Sequence, residues 1–182
     1  MVNIIVVLPK LEEAKTIKSV LVRNGFQVTG ICTTGAQAIQ QTNGLAEGLI
    51  ISGYKLKDML YSELQECMPS GFEHLLLASQ KVITEDFEKN MVCLSLPLRI
   101  NDLINTVGMM TEGIERRKRK KQEMIRERSA QENVLIAEAK KILMIRNHMT
   151  EEEAHKYLQK SSMDTGVGLS ETAQMVLAMM KK

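Results

Sequence analysis

Apolar and polar positions follow two different rhythms along the chain. Over the first hundred residues, short runs of β-branched and aliphatic residues alternate with longer stretches at helical spacing. That is the pattern of a parallel sheet covered by helices. Asn3 to Leu8, Gln27 to Cys32, Gly48 to Ser52, Glu73 to Ala78 and Met91 to Ser95 read as five strands. Their continuous runs, IIVV, LII and HLLLA, suit strands buried on both faces. Leu11 to Asn24 reads as a helix with Ala14, Ile17 and Leu21 on one face, closed by Gly25 in a left-handed conformation. Thr34 followed by Gln37 has the spacing of a capping box at the start of a second helix. The first 110 residues therefore read as a (βα)5 unit of the α/β class.

Beyond Leu96-Pro97 the rhythm becomes purely helical. A long helix is expected from Ile100 or Asn101 to about Arg128. Val107, Met110, Ile114, Arg117, Lys121, Met124, Arg128, Gln131, Leu135 and Glu138 follow alternating 3-4 spacing, which predicts a coiled-coil seam and a parallel homodimer through the 107–135 helix. The last fifty residues read as a small bundle of three helices. The first, about Ala130 to Asn147, carries Ile136, Ala139 and Leu143 on one face. The second opens on a capping box, Thr150 to Glu153, and buries Ala154, Leu158 and Ser161. Asp164 to Gly168 breaks the chain, and a third helix from about Leu169 to Met180 carries Leu169, Thr172, Ala173, Val176 and Met180 inward. The expected organisation is thus residues 1–110, a coiled-coil linker over 111–129, and the bundle over 130–182.

Charge sharpens this division. The net +2 of the 182 residues is the sum of −2 over residues 1–110 (9 Lys+Arg, 11 Asp+Glu) and +4 over 111–182 (15 against 11). A basic second half predicts an anionic partner there, nucleic acid among the candidates. The run RRKRKK at 116–121 is either a solvated helix surface or a phosphate-facing collar. Cys32, Cys67 and Cys93 are odd in number and far apart, which argues against a disulfide framework and points to a reducing, cytoplasmic setting. No apolar run reaches the roughly 18 residues of a membrane span, so no membrane role is expected. His148 and His155 lie across a helix break without further ligands at metal spacing, so neither a metal nor a cofactor is expected. Thirteen Met residues, Met175, Met179 and Met180 among them, fill core positions or make an adaptable surface.

With the (βα)5 pattern in place, the first 110 residues resemble a flavodoxin-like response-regulator receiver domain. The tail from Ile136, IAEAKKILMIRNHMTEEEAHKYLQKSSMDTGVGLSETAQMV, closely resembles an ANTAR domain, the RNA-binding output module of transcription antitermination regulators. Receivers hold Mg²⁺ with an acidic pair after the first strand. They accept phosphate on an Asp at the end of the third, and use a Ser or Thr after the fourth and a Lys after the fifth. The matching positions are Leu8 and Pro9, Ser52, Ser79 and Leu96, of which only Ser79 fits. Leu8 and Pro9 offer a hard cation no oxygen ligand, and Leu96 carries no charge. Ser52 cannot form an acyl phosphate, and as a nucleophile it would need a base that no sequence neighbour supplies. The N-terminal part is therefore expected to be a pseudo-receiver: not an enzyme, not controlled by Asp phosphorylation, and serving dimerisation, partner binding or the sensing of something other than phosphate.

The ANTAR resemblance implies recognition of RNA stem-loops near a transcription terminator. Lys140, Lys141 and Arg146, with Lys156 and Lys160 at i, i+4 on the second helix, are the candidate RNA contacts. Tyr157, the only aromatic residue of the tail, reads as core rather than as a stacking platform. The alternative function is a protein-interaction module, in which a sensor protein binds the pseudo-receiver and sequesters the output domain.

Overall fold

The computed structural model describes residues 1–83 and 91–180. Five strands, β1 (Asn3–Val7), β2 (Val28–Cys32), β3 (Gly48–Gly53), β4 (Phe72–Ser79) and β5 (Val92–Leu96), form one sheet in the order β2-β1-β3-β4-β5. Every pairing is parallel. Helices α1 (Leu11–Arg23), α2 (Gly35–Thr42) and α3 (Tyr61–Cys67) lie in the first three connections. The fourth includes residues 84–90, so the helix expected there lies outside the described residues.

The sheet is apolar on both faces because its strands are continuously apolar, and strand alternation sorts them. Ile4, Val6, Leu8, Leu49, Ile51, Leu75 and Leu77 face one core with Ala14, Ile17 and Leu21 of α1. Ile5, Val7 and Ile50 face the other, with Ala38 of α2 and Leu64 of α3. Helix α1 ends as expected: Gly25 has φ of 85° and its N–H donates to Val22 O at 3.1 Å. At α2 only half of a reciprocal box forms. Thr34 Oγ1 accepts from Gln37 N at 3.3 Å, but Gln37 Oε1 reaches past Thr34 to Thr33 N at 3.1 Å.

Two expectations about the long helix are corrected. Helix α4 runs without a break from Ile100 to Asn147, 48 residues, rather than ending near Arg128. No Gly or Pro occurs between Gly113 and Asn147 to interrupt it. Of the apolar seam positions, Val107, Met110 and Ile114 are not free to meet a second copy. With Leu103 they are buried in the α1 face of the sheet's own core. The basic run behaves similarly in part: Arg117 pairs with Glu73 of β4, and Lys118 with Glu47 at 3.0 Å.

The chain forms two compact units, Met1–Lys118 and Arg119–Lys182. The second consists of the end of α4, α5 (Glu151–Thr165) and α6 (Leu169–Met180) around Ala139, Leu143, Ala154, Leu158, Ala173, Val176 and Leu177. Leu177 joins Thr172, Ala173 and Val176 in facing inward. The Thr150–Glu153 box is complete: Glu153 N donates to Thr150 Oγ1 at 3.3 Å, and Thr150 N to Glu153 Oε2 at 2.8 Å. Gly166, at φ of 69°, ends α5.

Candidate functional site

In the first unit, the residues matched to receiver chemistry separate into two groups. Leu8 and Pro9 after β1, Ser79 at the end of β4 and Leu96 at the end of β5 line one cavity of about 540 Å³ at the C-terminal ends of the strands. Ser52 does not line it. The residue of β3 that does is Gly53, whose strand partner is Leu77. Alternation along β3 forces this result: Leu49, Ile51 and Gly53 share the face of Leu8, while Ile50 and Ser52 point the other way. The position that faces the cavity in place of an acceptor carboxylate is therefore Gly53, which carries no side chain, and the assignment to Ser52 is corrected.

Ser52 has another environment. It is fully buried, and its Oγ lies 2.6 Å from His74 Nε2 and 3.2 Å from Gly53 O. A basic neighbour thus exists, one that the local sequence around Ser52 does not reveal. Burial pushes the His74 imidazole down to about 4, so it is neutral at physiological pH. His74 Nδ1 is buried without a partner. The tautomer that satisfies every N–H and O–H has Nε2–H donating to Ser52 Oγ and the hydroxyl donating to Gly53 O, which leaves only a bare lone pair on Nδ1. In that arrangement the imidazole is not poised to take the serine proton. The pair is a buried polar link between β3 and β4.

Asp58 lies beyond β3, 22 and 23 residues in sequence from its backbone partners. Its carboxylate accepts from Gly35 N at 2.8 Å and Ala36 N at 3.0 Å at the start of α2. Desolvation pushes its pKa up, but these backbone donors outweigh that and hold it below the usual carboxylate range.

In the second unit the five candidate cations occupy different settings. Lys140 Nζ donates to Glu151 Oε1 at 2.7 Å, tying α4 to the first turn of α5, and its side chain is only 21% exposed. That ion pair holds the Glu151 carboxyl below its ordinary range. Lys156 pairs with Glu152 at 2.8 Å. Lys140 and Lys156 line one shallow depression with Glu151, Glu152, His155 and Gln159, while Lys141, Arg146 and Lys160 lie outside it. No ion pair is found for those three among the described residues, and all are exposed.

Residues 126–177 match the ANTAR domain. The match lies within the second unit. The first unit has the receiver fold. It is similar to the CheY-like response regulator receiver domain protein from Methanospirillum hungatei JF-1, with TM-score 0.53 and 15% identity over 63% of this chain and 97% of that one. It is also similar to the Francisella response regulator 1452 receiver domain, with TM-score 0.52 and 18% identity over 62% and 98%. The response regulatory domain of protein mrkE from Klebsiella pneumoniae gives 0.54 and 12% over 63% and 98%. No curated protein matches the chain in sequence.

The second unit corrects one sequence expectation about its aromatic residue. Tyr157 is 43% exposed rather than core. Its neighbours Ala154 and Leu158 are fully buried, so Tyr157 stands at the margin of the apolar stripe with part of its ring open to solvent. His148 takes a left-handed conformation, φ of 52°, where α4 ends. No helix of the described residues is long and apolar enough to cross a membrane.

Proposed function

We propose that the chain is a cytoplasmic, non-enzymatic RNA-binding regulator that promotes transcription antitermination, with a receiver-like unit that is not controlled by Asp phosphorylation. The observation that carries the RNA half is the ANTAR match over residues 126–177. The ligand is a stem-loop RNA next to a transcription terminator. Lys141, Arg146 and Lys160 are the foremost phosphate contacts, because all are exposed and no acidic partner is found for any of them among the described residues. Lys140 and Lys156 can reach RNA only by releasing Glu151 and Glu152. Phosphorylation-independence is supported by the strand-end cavity, where Leu8, Pro9, Gly53 and Leu96 supply neither a metal ligand nor an acceptor nor a cation.

The regulator acts as a homodimer in this proposal. With Val107, Met110 and Ile114 committed to the first unit's core, Met109, Met124, Ile125 and Val134 are the exposed large apolar residues of the 107–135 stretch.

A gel shift with a paired stem-loop RNA tests the reading. Lys141→Ala combined with Arg146→Ala is expected to weaken binding and to flatten the slope of log affinity against log salt by about 1.4 to 1.8, two phosphate contacts at roughly 0.7 each in an unpaired loop or roughly 0.9 each on a duplex stem. Sedimentation should leave the oligomeric state unchanged. An unaltered affinity and slope would remove these two residues from the interface.

A further inference from the structure

The strand-end cavity of the first unit has lost the groups that handle phosphate, yet it has not filled in. It keeps about 540 Å³, within the roughly 300–1,000 Å³ of small-molecule sites, at the ends of β1, β3 and β4. Strand order reverses between β1 and β3, the place where open parallel sheets bind ligands. Its walls are Leu8, Ile17, Leu77, Val82, Leu96 and Leu98. Gly53 leaves the floor open: a Cβ there would come only to 3.4 Å from Leu8 Cδ2, ordinary contact. The polar features at its mouth are few. Glu13 pairs with Lys10 at 3.0 Å. Ser79 and Lys55 are exposed, and no side-chain partner is found for either among the described residues.

We infer that this cavity binds a small apolar molecule bearing a single carboxylate, its body against the leucine walls and its charged head at Lys55 and Ser79. The apolar walls disfavour a hydrated inorganic anion, and Lys55, the one charged lining residue without an ion-pair partner among the described residues, selects the sign of the head group. The inference rests on the reading that this strand end no longer handles phosphate, and binding is measured apart from phosphorylation.

Calorimetric titration of the full chain with 2-naphthoate, 2-naphthylmethanol and 2-naphthylmethylammonium separates the contributions of shape and charge. One site per chain is expected, with the carboxylate about tenfold tighter than the ammonium, a difference of about 1.4 kcal/mol, and the alcohol between them. Lys55→Glu should abolish or reverse that order. Gly53→Leu, which fills the floor, and Ser79→Trp, which blocks the mouth from an exposed position, should each remove binding with the circular dichroism spectrum unchanged. Absence of saturable binding by all three probes, or binding untouched by both blocking variants, overturns the site. Equal affinity for the three overturns the assigned charge.

Discussion

Lowering the pH should weaken the first unit through His74 before the carboxylates contribute. The imidazole is 7% exposed and its pKa falls from 6.5 to about 4 on burial. Because the folded value is the lower one, the unfolded chain binds the proton more readily. Stability is therefore fully present above about pH 6.5 and is lost as pH falls toward 4. The full separation corresponds to about 3 kcal/mol, and the loss between pH 7 and pH 4.5 to about 2 kcal/mol. The carboxylates Asp58, Glu151 and Glu153 are held below their ordinary values, so their contributions are lost mainly at still lower pH. The chain has no Trp and three Tyr, of which Tyr54 and Tyr61 stack in the first unit at 5.2 Å. In a Tyr157→Phe background, tyrosine fluorescence during urea unfolding therefore reports that unit alone. The urea midpoint should fall by about 1 M between pH 7 and 4.5, for a slope of about 2 kcal/mol/M. In His74→Leu the fall should largely vanish. A variant that keeps the full pH dependence would refute the assignment of a buried neutral imidazole.

Other outcomes follow from the same geometry. Ile114→Ala should destabilise the first unit by about 2–5 kcal/mol, the cost of truncating a buried Ile, with the dimer affinity measured by sedimentation unchanged. A weakened dimer would return Ile114 to an intermolecular seam. Incubation with acetyl phosphate and Mg²⁺ should leave the intact mass unchanged, and addition of one phosphoryl group would contradict the reading of the strand end. Thr150→Ala should cost about 1 kcal/mol in the second unit, measured by urea unfolding followed by Tyr157 fluorescence in a Tyr54→Phe, Tyr61→Phe background. No loss would mean that the box contributes nothing to the second unit's stability.

The parallel sheet and the helical tail were legible because their patterns are long and of one period. What was not legible depends on phase or on distant partners. In LIISG every residue is apolar or small, so the run lacks the alternation that shows which side each residue faces. A one-residue slip exchanges the faces, and that slip put Ser52 where Gly53 stands. His74 lies 22 residues from Ser52, and only the pairing of β3 with β4 brings the two together. The 3-4 spacing through Val107, Met110 and Ile114 is real, but a helix that packs on its own sheet and one that packs on a second helix bury the same stripe. Of the candidate cations, Lys140 looked like its neighbour Lys141 in sequence. The difference between them is Glu151, eleven residues away across the turn between α4 and α5.

The central claim, that the second unit of this chain binds terminator-proximal RNA, is tested most directly by crosslinking the full chain to RNA in its native cell and sequencing what is recovered. The account predicts enrichment of stem-loops adjoining transcription terminators, reduced by Lys141→Ala with Arg146→Ala. Recovery of no RNA above an uncrosslinked control would contradict it.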